Sequence, residues 1–169
     1  MDTFTTNESS EISNINFIAS KSPKSLSKFL LFQVGKLSLA LSVDLIQKVI
    51  NYTPVFGSGL GAFGVAHIGD QEITVIDLHQ QFFKISQTMN PGQKGYLILV
   101  SSTMGETFAL WVAQTPTLID VALSQIRVLP DSYRRSDTLG AASHVMLISH
   151  ETETMTVFIL DVNRLVGNR

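Results

Sequence analysis

Cysteine is absent from the 169-residue chain. That excludes a disulfide framework, a thiolate metal site and a cysteine nucleophile, and it suits a reducing cytoplasm. Charge is scarce too: Asp, Glu, Lys and Arg make up 15% of the residues, and the formal net charge is -2. No Lys/Arg cluster exceeds the pair Arg134-Arg135, so the chain has no electrostatic footprint for a phosphate backbone and nucleic acid is not an expected partner. Long apolar runs are missing, none approaching the ~20 residues of a spanning helix, and the first residues lack the basic and apolar regions of a signal peptide. The expectation is a cytoplasmic protein with no direct membrane insertion.

The motifs of catalysis are missing as well. There is no G-x-S-x-G, no P-loop, no G-x-G-x-x-G after a strand and no H-E-x-x-H. Gly57-Ser58-Gly59-Leu60-Gly61 has a phosphate-loop look, but no lysine follows it and it reads as a flexible loop. Of the four histidines, His67 and His79 could join Asp77 around a divalent ion. The plainer reading makes Asp77 a helix cap and His79 an exposed helix-start residue. Met104 and Trp111 read as core or surface filler. No cofactor, no metal and no enzymatic activity are expected, so function should lie in surfaces.

What is present is apolar texture, 44% of the chain. Residues 1–27 are rich in Ser, Thr and Asn and read as a mobile tail; residues 28–169 read as one domain of two β-lobes sharing a core. From Lys28 short apolar runs alternate with turn residues at the spacing of an all-β protein. KFLLFQV, Gly35-Lys36 and LSLALS form a hairpin. VDLIQKVI could be one helical turn followed by a strand, with Asp44 and Lys48 at helical spacing and Val49 and Ile50 favouring extension, and TPVFGSGLGAFG reads as a loop. Residues 64–78, GVAHIGDQEITVIDL, supply two strands around a polar centre. LHQQFF is a helical turn with Asp77 and Gln80 in capping-box spacing. YLILVSS and ETFALWV make a second hairpin around Met104-Gly105. TLIDV and IRVL are short strands, DSYRRSDTLGAAS is a polar loop, HVMLIS and MTVFIL pair, and Asp161 opens a last helix.

The two halves repeat loosely: strand, glycine turn, alternating strand, and later ITVIDL against VFILDV. KFLLFQV and MTVFIL are apolar on both faces, as strands covered twice would be.

Taken in order, FLLFQVGKLSLALSVDLIQKVI, GVAHIGDQEITVIDL, YLILVSSTMGETFALWV, LSQIRVLPDS and VFILDVNRLV resemble the CheW-like adaptor domain of bacterial chemosensory systems. The block 64–78 is the most specific part, with Gly64, Val65, Ile68, Ile73, Val75, Ile76, Asp77 and Leu78 fitting without a gap. The resemblance implies two interlocked five-stranded SH3-like β-barrel lobes with short helices. It implies a non-catalytic adaptor that couples a methyl-accepting receptor to a CheA-type histidine kinase through strand edges and loops.

The chain departs from that pattern at three positions. Gly69 stands where the family's Asn-Leu-Arg-Gly turn carries its receptor-associated arginine, Asp70 stands where glycine follows it, and Lys48 replaces an acidic residue. Losing a planar five-donor group and inverting a charge imply altered receptor-side specificity. The expected partner contacts are Ile46, Lys48 and Val49 on one segment and His67, Ile68, Gly69 and Asp70 at the turn. For Ile46 and Val49 a core role is the competing reading, and for Gly69-Asp70 a plain hairpin turn. A second functional reading is a small-ligand sensor using the cleft between the lobes.

Overall fold

A computed structural model of the chain describes residues 26–57, 61–87, 89–135 and 139–167. The expected tail lies almost wholly outside the described residues, as does the middle of the Gly57–Gly61 loop.

Strand β1 (Leu26–Val34) turns at Gly35-Lys36 into β2 (Leu37–Ser42). A 3-10 turn at Val43–Leu45, capped by the Ser42 hydroxyl, leads into β3 (Ile46–Asn51). The VDLIQKVI segment is thus a helical turn followed by a strand, in the order its residues suggested. Then come β4 (Val55–Gly57), β5 (Phe63–Ile68), β6 (Gln71–Asp77) and helix α1 (Leu78–Phe83). The second half runs β7 (Tyr96–Ser101), β8 (Thr107–Val112), β9 (Thr117–Ala122), β10 (Ile126–Val128), helix α2 (Asp131–Arg134), β11 (Ala142–His150), β12 (Glu153–Leu160) and helix α3 (Val162–Gly167).

These strands form two sheets, β10-β11-β12-β2-β1-β9 and β3-β7-β8-β6-β5-β4. Each holds five strands of six or more residues and one three-residue edge strand, β10 or β4. The orders are equivalent: a hairpin, flanked by an antiparallel edge strand on one side and joined in parallel to a second hairpin on the other (β2 with β12, β8 with β6). Each half of the chain donates its first hairpin to the sheet that the other half completes. This exchange is the interlock.

The interior has three parts. Phe29, Ala40, Val121, Met146 and Val157 cluster within the first sheet's curl, and Ala66, Ile73, Val75, Leu97 and Leu99 within the second's. In the second, Ile50 of β3 and Val55 of β4 join one cluster although they stand on opposite edge strands. A single sheet face closes on itself in this way only when the sheet curls into a half-barrel. Between the sheets lies the largest cluster, to which Leu30, Phe32, Leu39 and Leu41 contribute from one side and Ile98, Val100, Phe108 and Leu110 from the other. The central strands are thus buried on both faces, which explains their unbroken apolar runs.

Three local expectations are corrected. Part of the glycine-rich loop is the strand β4, because Val55–Gly57 pairs with β5. The polar loop after β10 contains α2. Asp77 caps α1 through Oδ1 from Gln80 N–H (3.1 Å), but the reciprocal half of the capping box is missing. The Asp77 N–H already donates to the Ala62 carbonyl (2.8 Å), so the Gln80 amide turns instead to Ser86 Oγ (2.8 Å). Asp161 repeats the arrangement, its N–H donating to Ala141 (2.7 Å) and its carboxylate accepting from Asn163 N–H (3.1 Å).

Candidate partner interface

The antiparallel registers decide which turns meet at the same end of the β3–β8 sheet. Ile46 pairs with Val100, Val100 with Phe108, and Phe108 with Thr74 of β6. The start of β3, the β7–β8 turn and the β5–β6 turn therefore share one end. Six of the seven sequence-predicted contact residues lie there, with Val49 following at mid-strand on β3; they form two groups separated by three strand spacings, about 14 Å along the sheet, with the β7–β8 turn between them.

The β3 group is shaped by an irregularity. Ile46 faces Val100 and Lys48 faces Leu99, so Gln47 is an extra residue, the mark of a bulge. The Gln47 amide donates to Ser101 Oγ (2.6 Å) and Thr107 Oγ1 (2.9 Å), tying the bulge to the β7–β8 hairpin. Gln47, Lys48 and Val49 are exposed in succession, whereas Ile46 packs partly against the central core. Lys48 on an edge strand also discourages indiscriminate strand pairing. Val49, 39% exposed, faces across a groove to Leu118 of β9, 60% exposed. That groove runs between the two sheets, holds about 590 Å³ and is floored by Leu30 and Ile50.

The turn group is a two-residue hairpin, with Ile68 opposite Gln71. Gly69 has φ +63 while Asp70 does not enter the positive-φ region, the pattern of a II′ turn with glycine first. No atom lies within 4 Å of where a Gly69 Cβ would stand, so the backbone and not crowding demands glycine here. Ile68 packs against the β3–β8 sheet's inner core, which gives it a structural role as well. His67 reaches Glu72 across the hairpin at 4.0 Å, both side chains largely exposed, and its ring lies 6.5 Å from that of Phe56.

The sequence reading missed three members of this surface. Met104, treated as filler, is 89% exposed at the tip of the β7–β8 turn; Phe56, taken for loop, is 65% exposed on β4; and Leu118 forms the far wall of the groove. The turn bearing Met104 is held firmly. Ser102 Oγ accepts from the Met104 and Glu106 N–H groups (3.3 and 3.2 Å), and Asn163 Oδ1 of α3 accepts from Thr103 N–H (3.2 Å). An exposed methionine at a fixed turn between predicted hairpin strands was the available signal.

The alternative metal cluster does not assemble. Asp77 serves as a cap, His79 Nδ1 contacts the Ile85 carbonyl (2.6 Å), and His67 lies on the β5–β6 hairpin arm. No group of three or more His, Cys, Asp or Glu residues converges among the described residues. Nor is any helix among them long and apolar enough to cross a membrane.

No curated protein sequence gives a significant match. Among solved structures, the chain is similar to the crystal structure of the scaffolding protein TtCheW from Thermoanaerobacter tengcongensis, with TM-score 0.64 at 15% identity. The similarity covers 79% of this chain and 83% of that one. It shows the shared fold of two curled β lobes. The model of the CheW-like domain matches residues 28–169, and by that match over most of its length the chain belongs to the CheW-like domain family.

Proposed function

We propose that the protein is a non-catalytic cytoplasmic adaptor that couples a receptor to a CheA-type histidine kinase, with receptor-side specificity altered at the β5–β6 turn. Family membership and the two-lobed fold support the adaptor role. The observation that carries the altered specificity is the open, positive-φ position at Gly69. Where the family pattern presents an arginine, this chain presents bare backbone followed by a carboxylate at Asp70. A guanidinium fork that binds carboxylate in a bidentate way is replaced by a group that repels it. Lys48, exposed on β3, inverts a second charge on the same end of the sheet. Partners with the opposite charge pattern are favoured, and ordinary methyl-accepting receptors are disfavoured.

The test is a restoring substitution. In Gly69→Arg/Asp70→Gly the arginine returns and glycine moves to the second turn position, so the φ requirement can move with it. Affinity for an ordinary receptor tip should rise by about tenfold or more, the effect of ~1.4 kcal/mol, while kinase binding stays unchanged. Equal receptor binding by the wild-type and double-variant proteins would overturn the reading. The single variant Gly69→Arg, with a side chain forced to positive φ, should lose ~1–2 kcal/mol of stability, measured by urea unfolding.

The sensor reading has the inter-sheet groove beside Val49 and Leu118 as its site. That groove is open, and its aliphatic floor and walls, Leu30, Ile50, Val49 and Leu118, beside Asn51, Tyr96 and Thr115, suit a protein segment better than a small polar metabolite.

A further inference from the structure

The geometry points to a binding site for a compact organic cation of the alkylated-ammonium class at the open end of the β3–β8 half-barrel, between Tyr52, Trp111 and Asp77. This site lies at the opposite end of the sheet from the β5–β6 turn, because Asp77 pairs with Trp111 at the far ends of β6 and β8. It stands or falls independently of the adaptor reading.

The cavity holds about 210 Å³ and is lined by Tyr52, Val55, Gly64, Val75, Asp77 and Trp111. Its one acidic group is Asp77, only 9% exposed. Burial raises the carboxyl's pKa, and the backbone N–H groups of Gln80 and His79 together with the charge of the His79 side chain offset that in part. Among the described residues no ion pair reaches Asp77. The contrast with the other half of the chain is informative. Asp161 is the equivalent carboxylate, and Arg164, three residues on, lies 3.5 Å from it. Three residues on from Asp77 stands Gln80, a neutral side chain turned away to Ser86. The second site carries a salt-bridged cation, whereas at the first the positive charge that acts on the carboxylate is that of His79, beyond salt-bridge distance.

The aromatic groups are equally one-sided. The Tyr52 and Trp111 ring centroids lie 5.2 Å apart. The Tyr52 hydroxyl accepts from Val55 N–H (3.3 Å) and Trp111 Nε1 donates to the Lys94 carbonyl (2.9 Å). Their polar tips are engaged and the rings pack on each other, so a cation in the cavity meets the ring surfaces that line it and does not pass between them. Extending the β2–β12 register, in which Ile159 lies opposite Ala40, by two residues puts Ser42 where Trp111 stands. The aromatic pair is thus particular to the site whose carboxylate has no arginine salt bridge. Electron-rich rings beside a desolvated carboxylate favour a cation with apolar methyl groups, and this set offers too few ligands for a metal. The cavity's 210 Å³ is room enough for a compact cation of the size of choline.

Trp111 is the only tryptophan of the chain, so intrinsic fluorescence reads this cavity directly. The experiment titrates the full chain with choline and with its neutral carbon isostere 3,3-dimethylbutan-1-ol, and repeats both by equilibrium dialysis. A saturable change with choline and none with the isostere is expected. Asp77→Asn, which keeps a capping oxygen, should bind choline at least about tenfold more weakly, with its melting temperature checked against wild type. A parallel titration with the Nε-trimethylated form of N-acetyl-lysine methylamide separates sources: tighter binding of choline assigns a free ammonium ligand, and tighter binding of the trimethyl-lysine derivative assigns a methylated side chain of another protein. Equal responses to choline and isostere, a choline Kd weaker than ~10 mM, or undiminished binding by Asp77→Asn would each overturn the proposal.

Discussion

Two glycines separate the demands of backbone and of space. Gly69 and Gly95 both have positive φ, +63 and +87. Around Gly69 the volume is open, whereas a Cβ on Gly95 would collide with the Val112 carbonyl and press on Ala113. The Gly95 carbonyl also accepts from Tyr52 N–H (3.1 Å), so its displacement moves the end of β3. Gly69→Ala should therefore cost only the dihedral strain, ~1 kcal/mol. Gly95→Ala adds overpacking of ~1–3 kcal/mol to that strain; urea midpoints compared at constant slope check the ordering. Each glycine stands in a polar turn next to an apolar run, so the sequence does not show the difference in crowding, and only the approach of β8 tells them apart. Met104, Phe56 and Leu118 escaped notice for a related reason. Their exposure depends on which strand ends beside them.

Among the elements, α1 makes the most specific demand on a single side chain. Asp77→Ala removes the oxygen that accepts from Gln80 N–H and should cost ~0.5–2 kcal/mol, while Asp77→Asn retains the cap. The pH dependence separates them further. Burial raises the Asp77 pKa above its ordinary 3.8, so the folded state holds this proton more tightly than the unfolded state. Its contribution to stability is full below 3.8 and is lost as pH rises through the raised folded value. Measured by thermal melts across the carboxylate range, wild type should lose stability relative to Asp77→Asn as pH increases.

That cap was legible from sequence because Asp followed by a helix-period run is a local signal, and the strands of both hairpins were legible from apolar alternation and glycine turns. Strand β4 was not. Three residues carry no periodicity, and their pairing with β5 is a tertiary event. The reciprocal half of the capping box failed for the same kind of reason, since the carbonyl of Ala62, fifteen residues earlier, had taken the donor.

For the whole molecule the decisive feature is the exchange of hairpins between halves. The repeat of ITVIDL with VFILDV announced two related lobes, but neither β2 beside β12 nor β8 beside β6 can be inferred from a local pattern. The exchange places Leu110 in the core shared by both sheets. Leu110→Ala should cost ~2–5 kcal/mol and unfold both lobes in one transition; two separated calorimetric transitions would contradict a shared core. At this scale too lies the functional claim, that a fold with its core between the lobes presents one end of the β3–β8 sheet to partners. Co-purification of the tagged full chain from its native cell, with the bound proteins identified, tests that claim most directly. A CheA-type kinase enriched with the chain, and ordinary methyl-accepting receptors recovered less well than by the Gly69→Arg/Asp70→Gly variant, is the expected result. Recovery of neither a kinase nor a receptor, or receptor recovery equal for both proteins, would contradict it.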